Sequence, residues 1–194
     1  MNMPLDALSD ISDDALLVAF GNGDMSVARA LTTRLTPRIL GYATPMLGDR
    51  AEAEDVAQEA MLRLWRIAPD WRQGEAQVST WLYRVAANLC TDRLRKKRGV
   101  GLDTIAEPED DRPSADEGLQ QAARVAALDG ALGKLPERQR QAVILRHIEG
   151  LANPEIAQVM DMSIEAVESL TARGKRALAA ALAGRREELG FSDG

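Results

Sequence analysis

The side chains best suited to binding a ligand lie between Arg72 and Arg98, where cations, amides and aromatic rings are interspersed. Trp81, Arg84 and Asn88 are at the centre of this group, and a polar loop at residues 72–77 precedes them. Rings stack on bases, amides hydrogen-bond to them and cations contact phosphates, which are the interactions that unpaired bases need. The group predicts binding to single-stranded nucleic acid. A second interpretation stays open, in which Trp81 anchors the core and the cations form a solvated helix end, where positive charge is favourable anyway.

A second group of candidate residues lies nearer the C-terminus. A short helix from Pro154 to Met160, a tight turn and a longer helix from Ile164 have the proportions of a helix-turn-helix, whose second helix enters the DNA major groove. We expect the core-facing positions to be Ile156, Ala157, Met160, Val167 and Thr171. We expect the outward positions to be Glu165, Glu168, Ser169, Ala172, Arg173, Lys175 and Arg176. Helical hairpins that end in a basic helix are common, so this pattern alone leaves DNA binding open.

A third group lies on the helix predicted from Ala51 to about Ile67. Asp55, Gln58, Glu59 and Leu62 fall on neighbouring turns and form a mixed polar and apolar stripe. Such a stripe is typical of a surface that docks another helix. A merely solvated helix face is the alternative. Acid/base catalysis by these carboxylates is disfavoured, because no histidine or metal ligands accompany them.

The composition excludes several classes of function. One cysteine, Cys90, and one histidine, His147, cannot form a Cys/His zinc site or a Cys/His nucleophile pair. No glycine-rich phosphate loop is present. We therefore expect no catalytic residues, no metal and no cofactor. No apolar run approaches the roughly 20 residues that cross a bilayer, and the acidic N-terminus lacks a signal-peptide pattern, so we expect a cytoplasmic protein without membrane insertion.

The distribution of charge divides the chain into two parts. The net charge of −6 argues at first against a nucleic-acid partner. However, residues 84–98 contain six basic residues and one acid, whereas residues 99–118 contain seven acids and one arginine. The acidic segment also has two prolines and three glycines and too few apolar residues for a core. We predict a flexible acidic linker at 99–118 between domains at 1–98 and 119–194.

Both domains are predicted to be helical, which makes the fold class all-α. Apolar residues recur three and four positions apart, and the β-branched and aromatic runs of strands are missing. Ser12 is predicted to cap the first helix, and the second helix is predicted to be interrupted or bent near Pro37 and Pro45. Pro136 is placed at a first helical position, and Asn153 is placed as a helix cap.

Taken together, these segments resemble the extracytoplasmic-function group (group IV) of the sigma-70 family. In the first domain the matching segments are Gly48–Glu59, Ser79–Asn88 and Asp92–Arg95. In the second domain they are Leu135–Arg140, Glu155–Ala157 and Val167–Ser169. Several matches in the family's order, on either side of an acidic linker, are far more specific than any one of them.

The resemblance implies an RNA polymerase sigma factor, with nucleotidyl transfer performed by the polymerase and not by this chain. The β′ clamp helices of core polymerase would bind Asp55, Gln58, Glu59, Leu62 and Trp65. The minus-ten promoter element would be recognised and melted by Gln73, Gln77, Trp81, Arg84, Asn88, Arg93, Arg95 and Lys96. The second domain would bind the β flap, and it would read the minus-thirty-five element with Ser163, Glu168, Ser169, Ala172, Arg173, Lys175 and Arg176. An anti-sigma factor is the further partner that the resemblance implies.

Some positions depart from the family's pattern. Many relatives have Lys or Arg where this chain has Glu168, and an acid there would accept from a cytosine amino group instead of donating to guanine. Gly174 lies inside the reading helix at a cost of about 1 kcal/mol relative to alanine. Met61 stands where an aromatic residue is frequent, and Asn153–Pro154 replaces a more usual serine/tyrosine pair.

Three other classes of function remain as alternatives. A sigma-mimicking adaptor would bind an anti-sigma protein but not DNA. A helix-turn-helix repressor would bind symmetric duplex DNA without polymerase, but it leaves the Trp81 and Asn88 group unexplained. An enzyme is disfavoured most strongly, because no convergent nucleophile, base or metal set is present.

Overall fold

A computed structural model of the protein describes residue 8, residues 10–99 and residues 116–183, with backbone alone at 116–120. Regular structure within these residues is entirely helical. The helices are α1 (Asp13–Gly21), α2 (Ala28–Leu47), α3 (Arg50–Ile67), α4 (Val78–Gly99), α5 (Asp116–Gly133), α6 (Glu137–Val143), α7 (Asn153–Met160) and α8 (Ile164–Ala183). Most of the predicted acidic linker, residues 100–115, lies outside the described residues.

Helices α1 and α2 begin the first domain. Ser12 caps α1 as predicted, because its side chain accepts from the Ala15 backbone N–H at 3.2 Å. Of the two predicted effects of the prolines, the interruption is wrong, since the helix continues through both Pro37 and Pro45, and the bend stays a prediction. Each proline removes one backbone hydrogen bond, at a cost of about 3 kcal/mol. Burial of one side of the helix offsets this cost, through Leu31, Leu35, Ile39, Tyr42, Ala43 and Met46.

Helices α3 and α4 complete the core of the first domain by packing on α2 and on each other. Asp49 caps α3 by accepting from the Glu52 backbone N–H at 3.0 Å. The buried positions of α3 recur three and four residues apart, namely Ala53, Val56, Ala57, Ala60, Met61 and Leu64. This spacing places one side of the helix against the core and leaves the opposite side exposed.

The second domain consists of α5 to α8, with a single π-helical turn at Ile144–Ile148 after α6. Two predicted helix starts need correction. Pro136 precedes α6 and is not its first residue, since its ψ of 140° is extended. Asn153 is not the cap of α7 but its first residue, and the Glu155 carboxylate satisfies the backbone N–H of Ala152 at 2.8 Å.

The two domains share one continuous hydrophobic core in the described part of the chain. The second domain lies on two helices of the first. Helix α2 contacts α5, α6 and the π-helical turn, and α4 contacts α7. Helix α8 packs on α5, α6 and α7 of its own domain. One side of α4 is therefore covered by the neighbouring domain, and its remaining surface has to serve any other partner.

Candidate nucleic-acid interface and docking groove

Helix α4 presents most of its candidate nucleic-acid residues on one side. At about 100° per residue, Gln77, Trp81, Arg84, Asn88 and Arg95 fall within a sector of about 60°. All of them are exposed except Trp81, which is half-buried. Gln73 in the preceding loop and Lys96 at the side of the sector are exposed as well. The fold thus assembles seven of the eight residues predicted for the minus-ten element around one accessible surface.

Trp81 is a half-buried member of this surface. Its ring lies edge-on to that of Trp71, with centroids 6.1 Å apart and planes at 81°. This T-shaped arrangement is favourable for aromatic pairs and fixes the orientation of the indole. Val78 anchors the start of α4, because its backbone N–H donates to Asp14 Oδ1 at 3.3 Å. Trp81 is therefore both a packing residue and part of the exposed surface.

Arg93 is the residue that the fold separates from the group. It lies half-buried on a different side of α4. The hydrogen bond from Arg63 is the main reason that the pKa of the Glu59 carboxyl is lowered, and the charge of Arg93 adds a smaller effect in the same direction. Burial raises the pKa of the Cys90 thiol to about 12, and the charge of Arg93 opposes this rise. The position of Arg93 suits a link between α4 and α3.

The basic segment at residues 84–98 contains further cations, which differ in their ion-pair partners. Arg95 is paired with Asp92 at 3.6 Å, Lys97 with Glu52 at 3.0 Å and Arg98 with Glu137 at 2.7 Å. The Arg95 pair is strongly exposed on both sides, and exposed pairs of this kind contribute little to stability. Arg95 can therefore exchange its carboxylate for a phosphate at small cost, whereas Arg98 connects the two domains.

The second candidate surface is the helix-turn-helix formed by α7, residues 161–163 and α8. Ile156, Met160 and Val167 are buried, while Ala157 and Thr171 are half-buried. Asp161, at φ 52°, is the positive-φ residue other than glycine in the described chain, and it ends α7 in the left-handed conformation. The expected motif and its core-facing side are both present.

The outward side of α8 carries the candidate residues for duplex DNA. Glu168, Ala172, Arg173, Lys175 and Arg176 are exposed, and Ser169 is half-buried. Ser163 lies one residue before the helix, and its hydroxyl accepts from the Ala166 backbone N–H at 3.2 Å. That cap orients the first turn of α8, so Ser163 has a structural role whether or not it contacts DNA.

The glycine at position 174 is needed for the packing of α8, which the sequence alone did not reveal. It is buried, and a Cβ at this position would lie 2.6 Å from Val143 Cγ2 and 3.2 Å from the Gln139 carbonyl oxygen. The glycine therefore allows α8 to approach α6 closely. The helix loses some intrinsic stability through this residue and gains the close packing that fixes the exposed side of α8.

Glu168 has a hydrogen-bond partner outside its own helix. The side-chain amide of Asn153, at the start of α7, donates to Glu168 Oε1 at 3.4 Å. Both side chains lie at the solvent-accessible edge of the motif. One carboxylate oxygen is thereby directed towards α7, and the other remains able to accept from a further donor.

A groove between α2 and α3 contains part of the third candidate group. Its cavity volume is about 320 Å³, and Gln58, Leu62 and Trp65 contribute to its lining. Leu62 is 43% exposed and contributes accessible apolar surface to the groove. Asp55 is exposed but does not line the groove. The Glu59 carboxylate accepts a hydrogen bond from Arg63 Nε at 2.8 Å, and this bond lowers the pKa of the carboxyl.

Sequence reasoning missed the α2 side of this groove. Thr32, Thr36 and Leu40 line it together with Glu54, Ala57 and Met61. The periodicity of α3 shows which of its sides is outward, but no local signal identifies α2 as the opposite wall. Met61, noted as a departure from the family's pattern, is a flexible apolar side chain at the base of the groove.

The described residues contain neither a metal-binding cluster nor a membrane-spanning helix. No cluster of three or more His, Cys, Asp or Glu side chains there has a geometry that could hold a metal ion. None of the described helices is long and apolar enough to cross a membrane.

An all-helical chain with a helix-turn-helix, a separate exposed cation, amide and aromatic surface, and an apolar docking groove defines the class of two-domain helical transcription factors. Comparison with known proteins identifies the family. Residues 31–100 match Sigma-70 region 2, and residues 126–178 match Sigma-70, region 4. The chain belongs to the extracytoplasmic-function (ECF) group of the sigma-70 family, which confirms the resemblance, and it is an RNA polymerase sigma factor.

Individual relatives resemble this chain over most of their length. The RNA polymerase sigma-H factor of Pseudomonas aeruginosa is 31% identical over 186 residues, which cover 90% of this chain and 96% of the relative. The ECF RNA polymerase sigma factor SigW of Bacillus subtilis is 32% identical over 174 residues, which cover 80% and 89%.

Two solved structures have a similar fold. CnrH, in complex with the cytosolic domain of CnrY, has a TM-score of 0.67 and 25% identity and covers 89% of this chain and 97% of its own. The sigma factor RpoE of Bartonella quintana, in complex with the anti-sigma factor NepR, has a TM-score of 0.61 and 21% identity, with coverages of 77% and 92%. The predicted all-α fold is confirmed.

Proposed function

We propose that this sigma factor holds core polymerase with the groove between α2 and α3 and contacts a promoter with two separate helices. Helix α4 would bind the melted minus-ten element, and α8 would bind the duplex minus-thirty-five element. The observation that carries this proposal is the exposure of both candidate DNA surfaces on opposite domains of one chain. The domain limits of 1–98 and 119–194, with a linker between them, belong to the same proposal.

The groove suits a helical partner such as the β′ clamp helices. Leu62 and Trp65 provide apolar contacts, while Gln58 in the lining and Asp55 beside it provide polar ones. A groove with an apolar floor and a polar rim is a usual way to bind an amphipathic helix. Glu59, already paired with Arg63, would lie at the edge of this contact and orient the partner's cations.

The α4 surface suits an unpaired strand better than a duplex. Asn88 is exposed near the middle of the sector, with Arg84 one turn before it and Arg95 two turns after it. An amide can hydrogen-bond to the edge of a flipped base, while the two arginines hold the phosphates on either side. The Trp71–Trp81 pair would provide a rigid wall for stacking, because its geometry is fixed before DNA arrives.

The α8 surface suits direct reading of a major groove. Arg173, Lys175 and Arg176 would contact phosphates, and Glu168, Ser169 and Ala172 would face base edges. The free oxygen of Glu168 can accept from the N4 amino group of cytosine. We therefore propose that the minus-thirty-five sequence of this factor contains a cytosine where relatives with Lys or Arg prefer guanine.

The remaining partners and properties also belong to the proposal. The β flap would bind the second domain, and an anti-sigma factor would bind the protein when transcription is not required, as NepR binds RpoE in the solved complex. The protein would act in the cytoplasm, where polymerase is, and would not be an enzyme itself. The sigma-mimicking adaptor remains the alternative, and it differs by predicting no promoter binding.

Run-off transcription with purified core polymerase tests the proposed function. Added wild-type protein should give transcripts from specific start sites, and Leu62→Asp should reduce core binding at least tenfold, because a charge enters the apolar groove. Met25→Asp is the matched control, since Met25 is 66% exposed and does not line the groove. Core binding without any start-site selectivity would favour the adaptor, and no association with core would overturn the proposal.

A further inference from the structure

One side of α1 contacts both ends of the polar loop at residues 72–77. Asp14 and Gly21 lie seven positions apart, which at about 100° per residue places them on the same side of the helix, roughly 10 Å apart along its axis. Asp14 contacts the start of α4, and Gly21 contacts the 3₁₀ turn Ala68–Asp70. The turn precedes the loop and α4 follows it, so the loop lies between these two contacts.

The Asp14 contact holds the start of α4, where the loop ends. Asp14 Oδ1 accepts from the Val78 backbone N–H at 3.3 Å, and the contact is partly buried. The first four N–H groups of a helix have no partner within that helix, and a carboxylate is favourable there because the helix N-terminus is partially positive. The carboxylate that binds this N–H comes from 64 positions earlier in the chain, so the start of α4 is tied to α1.

Gly21 brings α1 against the segment from which the loop begins. A Cβ at this position would overlap the Ala68 carbonyl oxygen and would lie 2.7 Å from the Ala68 carbonyl carbon and 3.1 Å from Pro69 N. All three atoms belong to the backbone, which cannot move aside as the end of a flexible side chain can. The Trp71 backbone N–H donates to the same Ala68 carbonyl at 3.2 Å. Helix α1 therefore packs directly against the turn that leads into the loop.

The arrangement of the loop depends on its ends. All six residues from 72 to 77 are exposed, so hydrophobic burial does not hold them in place. Exposed loops with few buried contacts are the segments of a fold that move most easily. The edge-on pair of Trp71 and Trp81 flanks the loop on both sides. The positions of Gln73 and Gln77 are therefore set by where α1 holds the residues on either side of them.

We propose that α1 positions the loop for the minus-ten contact, and that Asp14 and Gly21 control the orientation of Gln73 and Gln77 without touching DNA. This inference rests on the proposed function and extends it to a helix outside all three candidate groups. Ordering a mobile loop during binding costs conformational entropy. A loop whose two ends are already fixed loses less entropy when the melted strand is captured, which favours promoter opening.

Two substitutions release the loop, one at each end. Asp14→Ala leaves the Val78 N–H without its acceptor. Gly21→Ala adds a Cβ that displaces the turn at Ala68, although alanine is the better helix former. Asp14→Asn is the rescue variant, since its amide oxygen can still accept and asparagine caps helices about as well as aspartate. Gly130→Ala is the control for the glycine substitution, because a Cβ at Gly130 on α5 has nothing within 4 Å.

Acrylamide quenching of tryptophan fluorescence in the free protein provides the first measurement. The chain has three tryptophans. Trp65 contacts Phe20 of α1, with ring centroids 4.5 Å apart, and Trp71 and Trp81 flank the loop. Both release variants should raise the quenching constant about twofold through local loosening, whereas the rescue and control variants should match the wild type. Unchanged quenching in both release variants would overturn the positioning role, and this result does not involve polymerase.

The rate of promoter opening by the holoenzyme provides the second measurement. Both release variants should slow opening about fivefold, which is the scale expected for ordering one or two mobile side chains. Permanganate reactivity of unpaired thymines reports this rate. Affinity for core polymerase and binding of the closed promoter complex should stay at the wild-type level, and Asp14→Asn should restore the rate of opening. Equal losses of core affinity and of opening would indicate general destabilisation and would refute the proposal.

A double-mutant cycle tests whether α1 acts through the loop. The paired substitution Gln73→Ala and Gln77→Ala should slow opening by itself. Gly21→Ala added to this pair should slow opening by less than about twofold more, because the side chains that α1 positions are already absent. Independent effects that simply multiply would refute action through the loop. Failure of the wild type to open any promoter would instead refute the proposed function, and the quenching result would still decide whether α1 holds the loop.

Discussion

Helices α4 and α8 are the two proposed DNA-contacting helices, and they differ in what holds them. Helix α4 packs on α2 and α3 of its own domain and on α7 of the other domain. Helix α8 packs on α5, α6 and α7 of its own domain, and its close approach to α6 depends on Gly174. The position of α4 is therefore coupled to the arrangement of the domains, whereas α8 is positioned locally.

This difference suggests how a small chain could assign recognition of duplex DNA and recognition of a melted strand to two separate helices. A duplex reader has to present a rigid helix to a groove of fixed shape, which suits local close packing. The helix proposed to bind the melted strand would act only after polymerase has bound and the DNA has opened. Contact between α4 and α7 means that the position of α4 also depends on the second domain.

Gly174→Ala should have the largest effect, because it attacks the packing that positions α8. The added Cβ would lie 2.6 Å from Val143 Cγ2, and overpacking of this kind costs about 1–3 kcal/mol. Urea unfolding should show this loss. Gly130→Ala, with open space around its Cβ, should be neutral or stabilising by up to about 1 kcal/mol. Equal effects of the two substitutions would contradict the proposed close packing.

Asn88→Ala should separate DNA opening from DNA binding. We expect the rate of promoter opening to fall about tenfold, which corresponds to roughly 1.4 kcal/mol of barrier, while binding of the closed promoter complex is unchanged. Permanganate reactivity of unpaired thymines measures opening, and filter binding measures the closed complex. An equal loss at both stages would argue against base capture by Asn88.

Glu168→Gln should change the base preference of α8 more than its affinity. We expect discrimination in favour of cytosine at one position to fall about fivefold, because an amide can donate as well as accept. Selection from a library randomised in the minus-thirty-five element measures this preference. Glu165→Gln changes the same charge on the same helix and should leave the preference unaltered, so a similar change in both variants would reject direct reading by Glu168.

Arg173→Ala should have the smallest effect and should weaken duplex binding at every sequence. One lost phosphate contact lowers affinity about threefold at moderate salt and reduces the salt slope by about 0.9. Titration of a duplex fragment with the holoenzyme at several salt concentrations measures both. Arg29→Ala, an exposed cation on α2, is the control. A slope that does not change would remove Arg173 from the set of phosphate contacts.

The candidate site was predicted in outline because its signals are local. Ser12 as a cap, the helix-turn-helix and the outward side of α8 follow from residues a few positions apart, and the structure confirms them. Errors occurred where a local rule competed with packing. The prolines of α2 do not interrupt it because its buried side stabilises the helix. The DNA contact predicted for Arg93, which is half-buried, stays a prediction.

The sequence by itself determined the helices, their exposed sides and the family, since each depends on side-chain type at short spacings. Tertiary structure decided the α2 wall of the groove, the need for glycine at 21 and 174, and the contact between Asp14 and Val78. These features join residues such as 14 and 78, which are 64 positions apart. Their contact depends on how whole helices pack, because hydrophobic burial is not directional and leaves no local pattern to identify the partner.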